Sequence, residues 1–363
     1  MALMQRNWDI FCRVIDNYGD IGVCWRLARQ LTKEYGLNIR LWVDVPASLA
    51  MMCRGFDPEL ASQYLDGVEV CHWTPEFPDI KPAEVVIEAF ACELPDNYLQ
   101  AMAIAEIKPY WINLEYLTAE TWAESCHGMA SPHPSLSLIK HFFFPGFSDT
   151  SGGLIRESNL LNRRDAFIKD LPVKNSIEIS LFCYESAPVR ELIDLLSEST
   201  SPLLLHVPPG KPLAAVMAYL GGAGPWEIGS LCVKPMSFVN QDEFDHLLWR
   251  CDINFVRGED SFVRALWAGR PFVWQIYEQE DEAHLAKLNA FLDRYIAGAS
   301  ESNAKVIRSM FLAWNTRRGL RDAWLEFSAL QDRIADHANK WSAKLYESPD
   351  LAANLVKFCG NRL

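Results

Sequence analysis

No apolar run in this chain approaches the ~18 residues that a membrane span requires. Met1–Asp9 contains no signal-peptide core, so the expectation is a cytoplasmic protein with reduced thiols. The ten cysteines, at 12, 24, 53, 71, 92, 126, 183, 232, 251 and 359, include no CxxC pair, which argues against a zinc cage and a dithiol redox motif. No GxGxxG dinucleotide fingerprint occurs, nor HExxH metal spacing among the eight histidines, nor a GxSxG nucleophile elbow. His206 and His246 therefore read as structural. A basic excess is also missing: the net charge is −13, against general binding to nucleic acid or anionic membrane. An acidic surface would suit a basic protein partner, although a merely solvated face is its commoner meaning.

What is present suits two globular domains. The chain has 363 residues, 50% hydrophobic and 22% charged, enough for two separate cores. Thirteen tryptophans predict aromatic packing through those cores. Asp252–Gln275 organises the second half. Ile253–Val256 predicts a buried strand, stopped by Arg257-Gly258. Glu259-Asp260-Ser261 then stands where a helix begins, with Ser or Asp able to cap its first turn. Phe262, Val263, Leu266 and Trp267 give that helix an apolar face, Gly269 ends it, and Phe272–Trp274 starts the next strand. The helix start would offer free amides and a positive dipole end, for which a phosphate is a natural ligand.

The first half opens similarly. Ile10–Ile15 predicts a strand, Asp16–Gly22 a glycine-bearing turn, Val23–Tyr35 a helix and Asn38–Val43 a second strand. Asp16 and Asp20 bracket Gly19 at the carboxyl end of the first strand, the edge where open α/β sheets bind ligands. One aspartate alone would read as a helix cap; two around a tight turn favour function. Val85–Ala89 and Tyr110–Leu114 predict further strands with a helix over Ala101–Glu106, and Glu115-Tyr116-Leu117 follows the second. Ser131–Ser137 reads as a loop, Phe142–Gly146 as a strand, and the glycine-rich Ser148–Arg156 as the interdomain linker.

Beyond that linker, strands are expected over Ile177–Tyr184, Leu203–Val207 and Leu231–Val233, and helices over Val189–Leu196, Leu213–Leu220 and Gln241–Arg250. Pro235–Val239 reads as a loop. A helix is expected to start over Glu278–Asp281, and Asp332–Phe358 as one long amphipathic helix. Phe182, Tyr184 and Phe238 lie at strand ends or in loops where a planar base can stack.

These stretches carry a resemblance. DNYGDIGVCWRLARQL at 16–31, FFFPGF at 142–147, GGLIRE at 152–157, FCYE at 182–185 and above all QDEFDHLLWRCDINFVRGEDSFVRALWAGRPFVWQIY at 241–277 resemble the elongation factor P arginine rhamnosyltransferases. The resemblance covers essentially the whole chain; Glu278 stands where proline is expected. It implies a GT-B fold, two Rossmann-like domains facing across a cleft with a helical C-terminal tail. The expected domains are 1–150 on the acceptor side, 158–333 on the nucleotide-sugar side, and 334–363 as a helix returning toward the first.

The implied activity is inverting, metal-independent transfer of L-rhamnose from dTDP-β-L-rhamnose to an arginine of elongation factor P, with no cofactor. By resemblance Asp16 and Asp20 face the acceptor arginine, with Asp20 the base. Glu259, Asp260 and Ser261 hold the donor's diphosphate and sugar end, Tyr184 and Gln241 touch diphosphate or ribose, and Phe238 lies on thymine. Asn17, Gly19, Phe182, Arg257 and Gly258 complete the donor set. Glu259 is counted with the catalytic residues; an acid beside a diphosphate is electrostatically unfavourable, so its contact is a sugar hydroxyl, a backbone amide or the acceptor side. Competing readings are a GT-B enzyme with another nucleotide-sugar, a sugar epimerase, and a non-catalytic module for a basic protein.

Overall fold

The computed structural model describes residues 7–16, 18–279 and 283–360. Two α/β units result, one from Met1–Ser158 with Ser348–Leu363, the other from Asn159–Glu347. In the first, β1 (Asn7–Cys12), β2 (Asn38–Val43), β3 (Ser62–Leu65), β4 (Val68–His72), β5 (Val85–Ala89), β6 (Tyr110–Leu114), β7 (Ala130–Pro132) and β8 (Ile139–Phe143) form one sheet. Its order is β3-β4-β2-β1-β5-β6-β8-β7. The inner pairings are parallel, and only the edge strands β3 and β7 run antiparallel to their neighbours. Parallel strands covered on both faces should be continuously apolar, and β5 is buried at every position. Phe11, Trp42, Trp73, Phe77 and Tyr98 form an aromatic core cluster.

The helices of this unit are α1 (Gly19–Tyr35), α2 (Pro46–Met52), α3 (Asp96–Ile104), α4 (Thr121–Cys126) and the last helix, Leu351–Gly360. Several boundaries differ from expectation. The first strand stops at Cys12 rather than Ile15, because side-chain carboxylates take the next amides: Asp44 Oδ1 accepts from Val14 N (2.9 Å) and Asp20 Oδ2 from Ile15 N (2.8 Å). Helix α1 starts at Gly19 rather than Val23, which places Asp20 in its first turn. Helix α3 lies over Asp96–Ile104, not Ala101–Glu106, and part of the supposed loop at 131–137 pairs as β7. The strand expected at Phe142–Gly146 is β8, which starts three residues earlier, at Ile139, and ends at Phe143.

Ser148–Arg156 is no loose linker. Ser151, Leu154, Ile155 and Arg156 are buried, and Arg156 O accepts a hydrogen bond from Gln30 Nε2 at 2.6 Å. A Cβ on Gly152 would sit 2.4 Å from Phe143 Cε1, so this glycine provides close approach rather than flexibility.

In the second unit, β9 (Ile177–Leu181), β10 (Leu203–Val207), β11 (Trp226–Ile228), β12 (Leu231–Pro235), β13 (Ile253–Arg257) and β14 (Phe272–Gln275) take the order β11-β12-β10-β9-β13-β14, parallel except for edge strand β11. Its helices are α5 (Leu160–Lys169), α6 (Val189–Ser197), α7 (Lys211–Leu220), α8 (Gln241–Arg250), α9 (Asp260–Ala268), α10 (Ala283–Tyr295), α11 (Glu301–Thr316), α12 (Leu320–Ala329) and α13 (Gln331–Tyr346). Gly269 adopts φ 63° and caps α9 as its position predicts. Of the helix start expected at Glu278–Asp281, Glu278 and Gln279 are not helical and residues 280–281 lie outside the described residues; Glu278 pairs with Arg317 at 3.1 Å.

Aromatic packing dominates here: Phe262 stacks on Trp274 at 3.9 Å, and Phe291 and Tyr295 meet Trp341 of α13. The expected single helix over Asp332–Phe358 is two. Helix α13 packs in the second unit, residues 347–350 interrupt it, and α14 (Leu351–Gly360) belongs to the first.

Candidate functional site

Strand order locates the ligand edge of each sheet. In the first, the chain leaves β1 for β2 on one side and later places β5 on the other, so β1 and β5 flank a topological switch point. In the second, β9 and β13 do the same. Loops after these strands are where a ligand is expected.

After β1 the chain bends so that Asp20 turns inward. Asp20 is 2% exposed, and its Oδ2 accepts from Ile15 N (2.8 Å) and Asp16 N (2.9 Å), while Oδ1 accepts from Tyr116 Oη (3.1 Å). Burial pushes this carboxyl above the ordinary aspartate range; the two amides and the Tyr116 hydroxyl oppose that shift, and the Asp16 charge adds to it. Asp16 is half-buried, and its carbonyl accepts from Gly19 N at 2.7 Å. A Cβ on Gly19 would lie 3.1 Å from Asp16 Oδ2, so glycine keeps that carboxylate uncrowded. Asn17 lies outside the described residues.

Two residues that sequence reasoning did not assign complete this corner. Tyr116, just past β6, stacks on Phe90, just past β5, with centroids 4.3 Å apart and planes 15° apart. Phe90, Ala91 and Glu93 hold φ of 57°, 52° and 57°, values that side-chain-bearing residues seldom adopt. Such conformations cost on the order of 1–3 kcal/mol each and persist where surroundings dictate them. Here Phe90 N donates to Leu114 O (2.7 Å), Ala91 N to Asn113 Oδ1 (3.2 Å) and Glu93 N to Glu88 Oε1 (3.1 Å). The position of Tyr116 after a strand was visible in the sequence; nothing there signalled Phe90.

In the second unit, Tyr184 is buried after β9, and Gln275 Oε1 accepts its backbone N–H at 2.7 Å. The Arg257 guanidinium stands 4.7 Å over the Tyr184 ring and Lys211 Nζ 5.9 Å from it, which concentrates positive charge beside an aromatic face. Gly258 adopts φ 64°, and its carbonyl accepts from Trp274 Nε1 at 2.9 Å. The expected Ser or Asp cap of α9 does not form. Glu259 occupies the N-cap with helical dihedrals and no side-chain cap bond, and the Ser261 hydroxyl donates back to the Arg257 carbonyl. Asp260 opens the helix.

Phe182 packs edge-on against Phe244 at 5.0 Å, Phe238 lies half-buried between β12 and α8, and Gln241 is buried at the start of α8. That start is fixed by a capping box between Asn240 and Glu243. Arg264 and Asp245, each about 1% exposed, lock α9 to α8 with bonds of 2.8 and 2.5 Å. The structure thus joins Asp16, Gly19 and Asp20 in one unit, and Tyr184 with the Arg257–Ser261 turn in the other.

A separate trio, Glu178, His206 and Cys251, brings possible metal ligands within 4.8 Å of one another. Arg250 already grips both Glu178 oxygens at 2.7 and 2.8 Å, and His206 Nε2 lies 2.9 Å away. Burial alone would raise the Glu178 carboxyl, but the bonds from Arg250 and His206 hold it below the ordinary glutamate range. A guanidinium fills the place a cation would take, and the trio is an ion-pair network.

Two mostly parallel sheets of this kind in one chain are the architecture of the GT-B class. The solved MurG of Acinetobacter baumannii covers 98% of this chain at TM-score 0.55, with 10% identity, a likeness of fold alone. The family model for elongation-factor P rhamnosyltransferase EarP matches residues 8–360, and the chain belongs to that family. Protein-arginine rhamnosyltransferases of Pseudomonas putida and Pseudomonas aeruginosa are 46% and 47% identical to it; the alignments cover 99% and 97% of this chain and 100% and 98% of those proteins. A solved structure described as the basis for EarP-mediated arginine glycosylation of translation elongation factor EF-P is 34% identical, with TM-score 0.68 over 98% of this chain and 99% of that one. Among the described residues no helix is long and apolar enough to cross a membrane.

Proposed function

We propose that this chain is an inverting protein-arginine rhamnosyltransferase that moves L-rhamnose from dTDP-β-L-rhamnose to an arginine of elongation factor P in the cytoplasm, without a metal ion. Family membership supports the reaction class, and relatives bearing that activity match over nearly their whole length. The observation that carries the chemistry is Asp20, a buried carboxylate fixed at the carboxyl edge of a sheet by three donors.

A guanidinium is protonated at any ordinary pH and is a poor nucleophile. Asp20, with Asp16 beside it, would orient the planar cation by charge-assisted hydrogen bonds. One guanidinium nitrogen forms a bond to the anomeric carbon as that carbon's bond to the diphosphate oxygen breaks. The N–H proton passes to Asp20, so the glycosylated guanidinium keeps a single positive charge and dTDP departs with the electron pair. Growing charge on the diphosphate would be met by the first-turn amides of α9 and by Arg257, a task a metal ion performs elsewhere. Tyr184 and Gln241 are assigned to the diphosphate or ribose, and Phe182 and Phe238 to the base side. Glu259, at the helix start, is assigned to a neutral or cationic partner rather than bare phosphate.

Intact-mass measurement of purified elongation factor P after incubation with this protein and dTDP-rhamnose tests the proposal. The expected gain is one deoxyhexose, retained in EDTA. No gain, with another nucleotide-sugar giving the stronger thermal shift, would favour a different GT-B transferase. Partner binding with no nucleotide dependence would favour a binding module.

A further inference from the structure

Asp20 is held from two sides. Its Oδ2 is occupied by the amides of Ile15 and Asp16, which arrive from its own loop. Its Oδ1, the oxygen left for a guanidinium, shares a bond with the Tyr116 hydroxyl at 3.1 Å. Tyr116 is held in turn by its stack on Phe90, at 4.3 Å and 15°. Phe90 keeps a left-handed φ, as do Ala91 and Glu93. A stretch kept in that conformation by its own backbone bonds to Leu114, Asn113 and Glu88 presents a ring at a chosen place. Tyr116 is 37% exposed and Phe90 partly so, so the pair borders solvent beside the carboxylate. Aromatic faces beside an anion form a pocket for a planar cation, since a guanidinium can stack on the ring while bonding the carboxylate in its plane.

We infer that Tyr116 and Phe90 are the positioning pair of the acceptor site: Tyr116 aims Asp20 Oδ1, and the stacked rings are the wall against which the acceptor guanidinium lies. This rests on the proposed arginine transfer. It adds two residues to the machinery, and it gives each a separable effect. The Tyr116 hydroxyl acts through Asp20 on the chemical step, whereas the Phe90 ring acts on acceptor binding.

The test uses the full chain with elongation factor P and dTDP-rhamnose. Tyr116→Phe keeps the stack and removes only the hydroxyl. It should lower kcat about tenfold, the usual effect of losing a bond to a charged group, with KM for the acceptor protein little changed. The lost hydrogen bond had favoured the charged carboxylate, so the acidic limb of the kcat–pH profile should move to higher pH. Phe90→Leu should instead raise the acceptor KM roughly three- to tenfold, leaving that limb in place. Titration of dTDP-rhamnose should be unchanged in both variants. Carboxyl-carbon NMR of Asp20 in the donor-free protein provides the second measurement, needing neither substrate.

Wild-type kcat in Tyr116→Phe, or a kcat loss with an unmoved pH limb and an unmoved Asp20 titration, would overturn the inference. An unchanged acceptor KM in Phe90→Leu would remove the ring wall. If the wild-type chain transfers nothing, the proposed reaction falls instead, and the Asp20 titration in Tyr116→Phe still decides whether the hydroxyl acts on that carboxylate.

Discussion

Replacing Asp20 by asparagine separates chemistry from fold. The substitution is nearly isosteric, and the local bonding can survive it. The amide oxygen can still accept from Ile15 N and Asp16 N, and the new NH2 group can donate to Tyr116 Oη, reversing the present bond. The variant should therefore fold. What it lacks is the proton acceptor and a negative charge beside the guanidinium. A positioned base contributes on the order of 10²–10⁴ in rate, so single-turnover transfer should fall by that factor, about 3–5 kcal/mol of barrier at 1.36 kcal/mol per tenfold. Donor titration should be unchanged, because the residues assigned to the donor's diphosphate belong to the second unit.

Stability supplies an independent sign. Burial raises the folded-state pKa of Asp20 above its unfolded value. Its contribution to stability is then fully present below the ordinary aspartate range and is lost as pH rises through the raised folded value. Asparagine does not titrate, so the variant should be at least as stable as wild type at neutral pH, and its relative advantage should shrink on acidification. Thermal melts across pH check this. Near-normal transfer by Asp20→Asn would remove it as the base, and lost donor affinity would assign the loop to the nucleotide.

Three further outcomes follow from packing. Gly152→Ala puts a methyl carbon 2.4 Å from Phe143 Cε1 and should cost roughly 1–3 kcal/mol by overpacking, read from the urea midpoint. Arg264→Met strands Asp245 in the core between α8 and α9 and should cost roughly 3–5 kcal/mol, with weaker dTDP binding; adding Asp245→Leu should recover much of the loss in chemical denaturation. A chain ending at Glu347 loses α14, leaving Gln30 without Asp350 and the contacts of Leu351 and Leu355 unfilled. At about 1.5–3 kcal/mol per buried leucine it should melt earlier in calorimetry, and an unchanged first transition would refute the packing assigned to α14.

How much of this was legible in the sequence follows from which forces act locally. Val85–Ala89 and Tyr110–Leu114 were read correctly because strands buried on both faces are apolar at nearly every position, whereas Asn38–Val43 and Leu203–Val207, whose burial partly alternates, were legible as short β-rich runs. Gln241–Arg250 was legible from its helical spacing; the Asn240–Glu243 capping box that fixes its start is a further local signal, on which that expectation did not rest. Arg13–Ile15 failed because two of its amides are claimed by Asp44 and Asp20, a tertiary event that no strand propensity reports. Ser148–Arg156 failed because glycine signals either freedom or close approach, and only the Phe143 ring decides between them. The break at 347–350 separated a stripe that helical periodicity alone had joined; it contains Pro349, which lacks the N–H to continue a helix and disfavours helical backbone before it, a local signal that the periodicity obscured.

The acceptor corner shows the same division at the level of chemistry. Asp16, Gly19 and Asp20 are neighbours in sequence, so their turn could be read directly. Tyr116 reaches Asp20 across 96 positions and Phe90 reaches Tyr116 across a strand pair, so neither role exists before the sheet does. The proposed base lies in a local turn, but the Tyr116 hydroxyl that bonds it is brought there by strand order. A local reading can therefore nominate a candidate base, while the partners that hold its oxygens from other strands have to come from the fold.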